Sequence, residues 1–297
     1  MSKFITLLAA ALGGLSLRNR SRIGRFLGLI FSMIRTRDRE VARLQMETFL
    51  AAGEGAKHLS DVYKSIGETL LEAINLKPIL DNYQHYVDAD WKQMDEVLTR
   101  NRPIIILSAH TGNWELLAAC SVKRGYKVSV VGKEAQNAGL QKLLRGIRQQ
   151  YGVKTIWKSG GTAVQEIITA LKAKESVAAL IDQDTKVTSV MVDFFGRPAA
   201  CPATLIEIGK EHNAIFIAPL IFRTSSNHYK ISLTEIDSTK STKEILQEFN
   251  QLLEKSIRLN PAQWVWFHKR WRTQVDGKRL SSSEYVTSLG QSPVSPL

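Results

Sequence analysis

PIIILSAHTGNWE, residues 103–115, decides how the rest of the chain is read. Ile104, Ile105, Ile106 and Leu107 form a short continuous apolar run, the signature of a strand buried on both faces. Asn113 is a good helix N-cap, and Trp114, Glu115, Leu116, Leu117, Ala118, Ala119 and Cys120 read as an apolar helix behind it. His110 is thereby delivered to the carboxyl end of a strand just before a helix start, where open α/β sheets place their chemistry. Glu115 follows about one turn later. A neutral imidazole held by a carboxylate is a general base. Glu115 is therefore expected to fix the tautomer of His110 and to stabilise its imidazolium as the ring takes a proton.

Outward from this stretch, strand and helix signals alternate. Residues 127–131, 153–156 and 177–181 read as strands, with helices over 139–150 and from Thr162 between them. A helix near 203–211 leads to a strand over 215–222, which pairs as a hairpin with 229–233 across 224–227. A long helix over 242–258 stops at Asn260-Pro261. Upstream, residues 37–53 and 58–74 carry helical spacing of apolar positions. The pattern predicts an α/β fold, a mixed and largely parallel sheet flanked by helices. Residues 37–280 form the domain, and the Ser/Pro-rich stretch 281–297 reads as a disordered tail.

The chain has 297 residues, enough for one large domain, and carries a net charge of +12. Residues 1–40 hold +6 of this and residues 268–280 hold +4, so the excess is local and the body of the domain is nearly balanced. That distribution points to a localised anionic partner, such as anionic lipid or an acidic carrier protein, and away from a nucleic-acid-binding protein, which would interleave basic and aromatic residues along its surface. Cys120 and Cys201 have no metal-type spacing and read as buried thiols; no metal site is expected.

Near the N-terminus, the uncharged run 4–17 falls short of the ~20 residues a spanning helix needs. Small residues at Ala9 and Ala11 would suit a cleaved signal peptide, but Arg18, Arg20, Arg22 and Arg25 resist translocation. A second apolar run, 26–34, follows them. Alternating apolar and basic stretches suit helices lying in a lipid headgroup region, with an amphipathic helix covering the domain's own core as the alternative. Residues 1–36 are accordingly expected to be a membrane-associated helical segment.

The H-x4-E pattern at His110 and Glu115 resembles that of the glycerolipid acyltransferase superfamily, and four further segments are similar to the bacterial lipid A biosynthesis acyltransferases. In KEAQNAGLQKLLRGIRQQYG (133–152), Lys133, Asn137, Arg148 and Gly152 match the family's basic residue, Asn, Arg and Gly, with Lys133 standing where Arg is more frequent. Asp182-Gln183-Asp184 at a strand end, with Phe194-Phe195-Gly196-Arg197-Pro198 beyond it, forms a second match, here with Thr185 and Asp193 in place of the usual Gly and Pro. The stretch 200–218 fits the family's helix-then-strand passage. NPAQWVWFHKRWRT (260–273) meets every position of the closing aromatic-basic motif. The likeness spans roughly residues 20 to 275 in order and spacing.

The resemblance implies transfer of a fatty acyl group from an acyl thioester, on acyl carrier protein or coenzyme A as co-substrate, to a hydroxyl of a lipid A precursor. The alternative acceptor is another glycolipid or phospholipid: a phosphatidylinositol mannoside, an aminolipid or a lysophospholipid. His110 and Glu115 would be catalytic, and Asn113, Lys133, Arg148, Asp182 and Arg197 would bind substrate, with Asp182 free either to pair with Arg148 or to support His110. Oxyanion donors are expected near the helix start at 111–114 or on a nearby Arg. No Gly-x-Ser-x-Gly is present, so direct transfer without an acyl-enzyme is expected. It further implies no resident cofactor, a monomer, and a place at the inner (cytoplasmic) membrane with the catalytic domain facing the cytoplasm.

Overall fold

A computed structural model describes residues 9–50, 53–135, 137–158 and 161–290. Nine strands occur among them: β1 (Val87–Ala89), β2 (Ile104–Ser108), β3 (Val128–Gly132), β4 (Lys154–Trp157), β5 (Ser176–Leu180), β6 (Ser189–Phe194), β7 (Arg197–Pro202), β8 (Ile215–Ser225) and β9 (His228–Ile236). Seven form one sheet in the order β1-β9-β8-β2-β5-β3-β4. From β8 to β4 all neighbours are parallel; β9 runs antiparallel to β8, and β1 lies parallel to β9. This is the expected α/β architecture with a mixed, mainly parallel sheet.

The apolar run of residues 104–107 lies in the middle strand of that sheet. Every residue of β2 is buried, because successive side chains enter opposite layers. Ile105 and Leu107 join the cluster that includes Phe216, Phe194 and Trp264. Ile104 and Ile106 join Val128, Tyr126 and Ile217 on the other face. From β2 the chain passes to β3 and β4, returns to β5 beside β2, and then crosses to β8 on the far side. The connections leaving β2 and β5 thus go opposite ways, which opens a crevice beyond their carboxyl ends.

β6 and β7 form a separate antiparallel hairpin. Its turn is Phe195-Gly196, both with positive φ (55° and 72°), and Asp193 Oδ1 closes it by accepting from Gly196 N at 3.0 Å. Asn250 Nδ2, on the helix Thr242–Leu259, donates to Asp193 O at 2.8 Å and fixes the hairpin on the domain.

Two expectations for the chain ends change. The helix Leu17–Met33 packs along the helix Glu54–Ala73 through a glycine seam, where a Cβ on Gly24 or Gly28 would collide with the carbonyls of Gly67 or Tyr63. Ser21 and Arg25 both bind Glu68 across this seam, and Phe26, Phe31 and Met33 remain exposed. The arginines and serines of this helix interrupt its apolar runs, and no helix among the described residues is long and apolar enough to cross a membrane. The membrane-associated segment therefore becomes, over its described part, a helix of the domain; residues 1–8 lie outside the described residues. The placement at the inner membrane with a cytoplasm-facing domain is withdrawn with it. At the other end, Ser282–Gly290 is a helix rather than disordered tail, with Tyr285 and Leu289 buried in the core and Tyr285 Oη donating to Gln45 Oε1 at 2.5 Å. Residues 291–297 lie outside the described residues.

Candidate active site

Register builds the centre of the site. Ser108 of β2 pairs with Leu180 of β5, and Ile181 N continues the ladder onto Ser108 O at 3.0 Å. Two residues beyond each partner stand His110 and Asp182, which therefore meet across the crevice. Asp182 Oδ1 lies 2.8 Å from His110 Nδ1, and Oδ2 accepts the His110 backbone N–H at 3.0 Å and Trp264 Nε1–H at 2.8 Å. A carboxylate only accepts, so Nδ1 carries the proton and Nε2 keeps its lone pair. Asp182 is fully buried. Burial alone would raise its carboxyl, but the charge and hydrogen bonds of His110, with His268 nearby, hold it well below the usual carboxylate range.

The loop that carries His110 is held from both sides. Gly112 N donates to Gln263 O at 2.9 Å, Val265 N to His110 O at 3.2 Å, and Thr69 Oγ1 to Gly112 O at 2.7 Å. Gly112 adopts φ +49° with the carbonyl of Ile221 where a side chain would sit, so only glycine fits there. Asn113 caps the helix Trp114–Lys123 by accepting from Leu116 N at 3.0 Å and donates to Glu72 Oε2 at 3.2 Å. Its amide is thus engaged by the protein at both ends, although it was expected to bind substrate.

Glu115 faces elsewhere. Arg148 Nη2 donates to Glu115 Oε1 at 2.6 Å and Arg148 Nε to Oε2 at 3.0 Å, a bidentate pair. Burial opposes the Arg148 charge, and the hydrogen bonds and charge of Glu115 more than restore it. No hydrogen bond or ion pair joins Glu115 to His110; the hold on the imidazole expected of Glu115 is supplied by Asp182. Beside the pair lies a narrow apolar cavity of about 40 Å³ whose lining includes Trp114, Leu117, Ala118, Val130 and Ala178 as well as Glu115 and Arg148.

The Asp-Gln-Asp run divides three ways. Asp182 serves His110. Gln183 Nε2 lies 3.2 Å from both His110 Nδ1 and His110 Nε2, over the ring rather than in line with the Nε2 lone pair, and donates to His268 Nε2 at 2.5 Å. Asp184 accepts from Thr273 N at 2.5 Å and from Arg279, and so ties down the end of the closing motif. Lys133 is exposed just past β3, and Arg197 starts β7 with Nη1 buried and unpartnered; neither bonds to another of the expected site residues. The basic residues of 268–280 are engaged within the chain: Lys269 with Asp38, Arg270 with Ala200 O, Arg272 with Leu280 O, Lys278 with Glu284 and Arg279 with Asp184.

Gln183 and His268 were not anticipated as site residues. His268 sits inside the aromatic-basic motif, and only the folded chain brings its ring to 5.4 Å from that of His110. Burial first, then the neighbouring His110, pushes His268 down to about 4, so it is uncharged at neutral pH. Trp264, Trp266 and Trp271 are core residues, with Trp264 also touching Asp182. Cys120 is buried and its thiol is pushed up to about 12 by that burial, which leaves it no thiolate for nucleophilic attack. Among the described residues no group of three or more His, Cys, Asp or Glu is placed to hold a metal ion.

An imidazole with a fixed Nδ1 proton, a free Nε2 and a buried carboxylate behind it can deprotonate a hydroxyl. The comparisons agree with that chemistry. The profile of the family described as bacterial lipid A biosynthesis acyltransferase matches residues 4–273. The phosphatidylinositol mannoside acyltransferase of Mycobacterium tuberculosis (strain ATCC 25618 / H37Rv) is 21% identical over 193 residues, covering 63% of this chain and 60% of that protein. The lipid A biosynthesis acyltransferase of Haemophilus influenzae (strain ATCC 51907 / DSM 11121 / KW20 / Rd) is 30% identical over 123 residues, 39% of each chain. The chain thus matches less than two thirds of the length of either relative. With the profile running from before the glycine seam to the end of the aromatic-basic motif, the chain belongs to the bacterial lipid A biosynthesis acyltransferase family.

Proposed function

We propose that this chain moves a fatty acyl group from an acyl thioester to a hydroxyl of a glycolipid by direct transfer, with His110 as general base. The observation that carries this reading is the Asp182–His110 pair, which fixes the imidazole proton on Nδ1 and leaves Nε2 to take one from a substrate. The acceptor oxygen attacks the thioester carbonyl as its proton passes to Nε2; the tetrahedral intermediate collapses, the C–S bond breaks and the thiolate leaves with that proton. Asp182 stabilises the transient imidazolium. Glu115 acts one residue removed, by holding Arg148 beside the apolar cavity, which suits the start of an acyl chain. The donor is an acyl carrier protein or coenzyme A thioester.

For the acceptor, a phosphatidylinositol mannoside or a related glycolipid is better supported than a lipid A precursor. The relative named for the former aligns over 63% of this chain and the one named for the latter over 39%. The test supplies purified protein with radiolabelled acyl-carrier-protein and coenzyme A thioesters and, separately, a phosphatidylinositol mannoside, a lysophospholipid and a tetra-acylated lipid A precursor. Transfer to the mannoside that falls ~10²–10⁴-fold in His110→Ala is expected. Transfer confined to the lipid A precursor would reverse the acceptor reading, and transfer that survives His110→Ala would overturn the mechanism.

A further inference from the structure

An acyl-transfer reading leaves one requirement unmet. The thioester carbonyl becomes an oxyanion in the transition state, and a preorganised donor must face it. The donors expected near residues 111–114 are largely engaged: Thr111 N binds Ala109 O at 2.8 Å, Gly112 N binds Gln263 O at 2.9 Å, and the Asn113 amide binds Glu72. The His110 backbone N–H belongs to Asp182, and the Arg148 guanidinium is bidentate on Glu115.

Gln183 differs from all of these. Its amide nitrogen carries two hydrogens. One is pinned on His268 Nε2 at 2.5 Å; the other has no acceptor in line with it, because the nitrogen stands 3.2 Å from both His110 Nδ1 and His110 Nε2, over the ring and beside the atom that must receive the substrate proton. An acceptor hydroxyl can therefore reach the in-plane lone pair of His110 Nε2 without displacing Gln183. The nitrogen stays tethered to His268, so its second hydrogen remains at the edge of the reaction space with no aligned protein acceptor. A half-buried donor in that state is costly until something accepts from it. The thioester carbonyl meets the need weakly, and the oxyanion meets it strongly. Stabilisation that grows between ground state and transition state is what accelerates a reaction.

We propose that Gln183 is the oxyanion donor of the transfer step, a catalytic residue, and that His268 is the positioning residue that aims it. This rests on the acyl-transfer reading above. As the acceptor oxygen bonds to the carbonyl carbon, its proton goes to His110 Nε2 and the carbonyl electron pair moves onto the oxygen facing the Gln183 N–H. When the carbonyl re-forms, the C–S bond breaks and the leaving thiolate takes the proton from Nε2. His268 can accept from Gln183 only while its Nε2 is unprotonated, the tautomer that contact with a donating amide nitrogen requires of a ring uncharged at neutral pH.

The test measures kcat and KM on the full chain, with dodecanoyl-coenzyme A as donor and a phosphatidylinositol mannoside as acceptor, reading released thiol. The same donor without acceptor reports thioester hydrolysis, which needs the same oxyanion donor. Gln183→Ala is expected to lower kcat ~10²–10³-fold with little change in KM, and Gln183→Glu to lower it further, because a carboxylate repels the oxyanion. His268→Leu should lower kcat, while His268→Gln, whose carbonyl can still accept from Gln183, should recover most of it. If Gln183 merely caps the base, Gln183→Ala would raise kcat/KM or leave it unchanged, and the proposal falls. Equal activity of His268→Leu and His268→Gln would remove His268 from the role. Wild-type protein that hydrolyses the thioester but transfers to no acceptor refutes the acceptor reading alone, since the Gln183 comparison is still made on hydrolysis. Wild-type protein that does neither refutes both.

Discussion

Asp182 ends up fully buried beyond β5, with its oxygens on His110 and Trp264. Glu115 rides in the first turn of the helix that follows His110, partly exposed, with both oxygens on Arg148. Glu115 is five residues from His110 in sequence and Asp182 is seventy-two away. Nearness along the chain favours Glu115. The sheet decides otherwise, because β5 inserts beside β2 and aligns Ser108 with Leu180. A helical side chain projects from its own axis, whereas two residues leaving adjacent parallel strands in register share one crevice. The two carboxylates are therefore divided: one orients the His110 imidazole, the other fixes a cation beside the apolar cavity.

The sharpest way to break that division is Asp182→Asn. An amide can donate its N–H to Nδ1 and so force the proton onto Nε2, the nitrogen that should be vacant. Turnover is expected to fall ~10³–10⁴-fold in steady-state assays, with thermal unfolding as the control for loss of fold. A drop below tenfold would show that Asp182 is dispensable for the base.

Glu115→Gln should have a smaller effect, about 10-fold to 100-fold in kcat/KM, since it disturbs His110 only through Arg148 and the cavity. In a double-mutant cycle with Arg148→Ala the two substitutions should be strongly non-additive, as for any directly bonded pair. Additive losses would mean that Glu115 contacts substrate on its own account.

The smallest expected effect is on the pH dependence of stability. A free histidine protonates near 6.5 and His268 in the folded chain only at about 4. Between those values the unfolded state binds more protons, so stability falls as pH drops from 6.5 towards 4. Asp182 behaves differently: its lowered carboxyl contributes stability that is present above the unfolded value near 3.9 and lost only as pH falls well below it. Urea unfolding from pH 7 to pH 4 should thus give a wild-type advantage over His268→Gln that shrinks on acidification, and a gap to Asp182→Asn that stays level. Parallel gaps for both variants would contradict the buried, uncharged state of His268.

Much of this was legible in the sequence where the signal is local. The run 104–107, the Asn113 cap, the hairpin of β8 and β9 and the stop at Asn260-Pro261 depend on neighbouring residues alone. Strand order is not local, so the Asp182 contact could be entertained from sequence but not chosen. The glycine seam was hidden because nothing local to Gly24, Gly28 or Gly67 shows that they make room for a close helix crossing. The helix Ser282–Gly290 was masked by its serines. Its signal was the four-residue spacing of Tyr285 and Leu289, both buried. Gln183 and His268 each lay within a quoted motif, yet neither motif indicates that the other is near.

Nitrogen-15 NMR of the imidazole of His110, recorded on wild type, Asp182→Asn and Glu115→Gln, tests the division between the carboxylates most directly. The structure predicts a proton on Nδ1 and a bare Nε2 in wild type, an unchanged tautomer in Glu115→Gln, and a shift of the proton to Nε2 in Asp182→Asn. A wild-type ring protonated on Nε2, or a tautomer that follows Glu115 rather than Asp182, would contradict it.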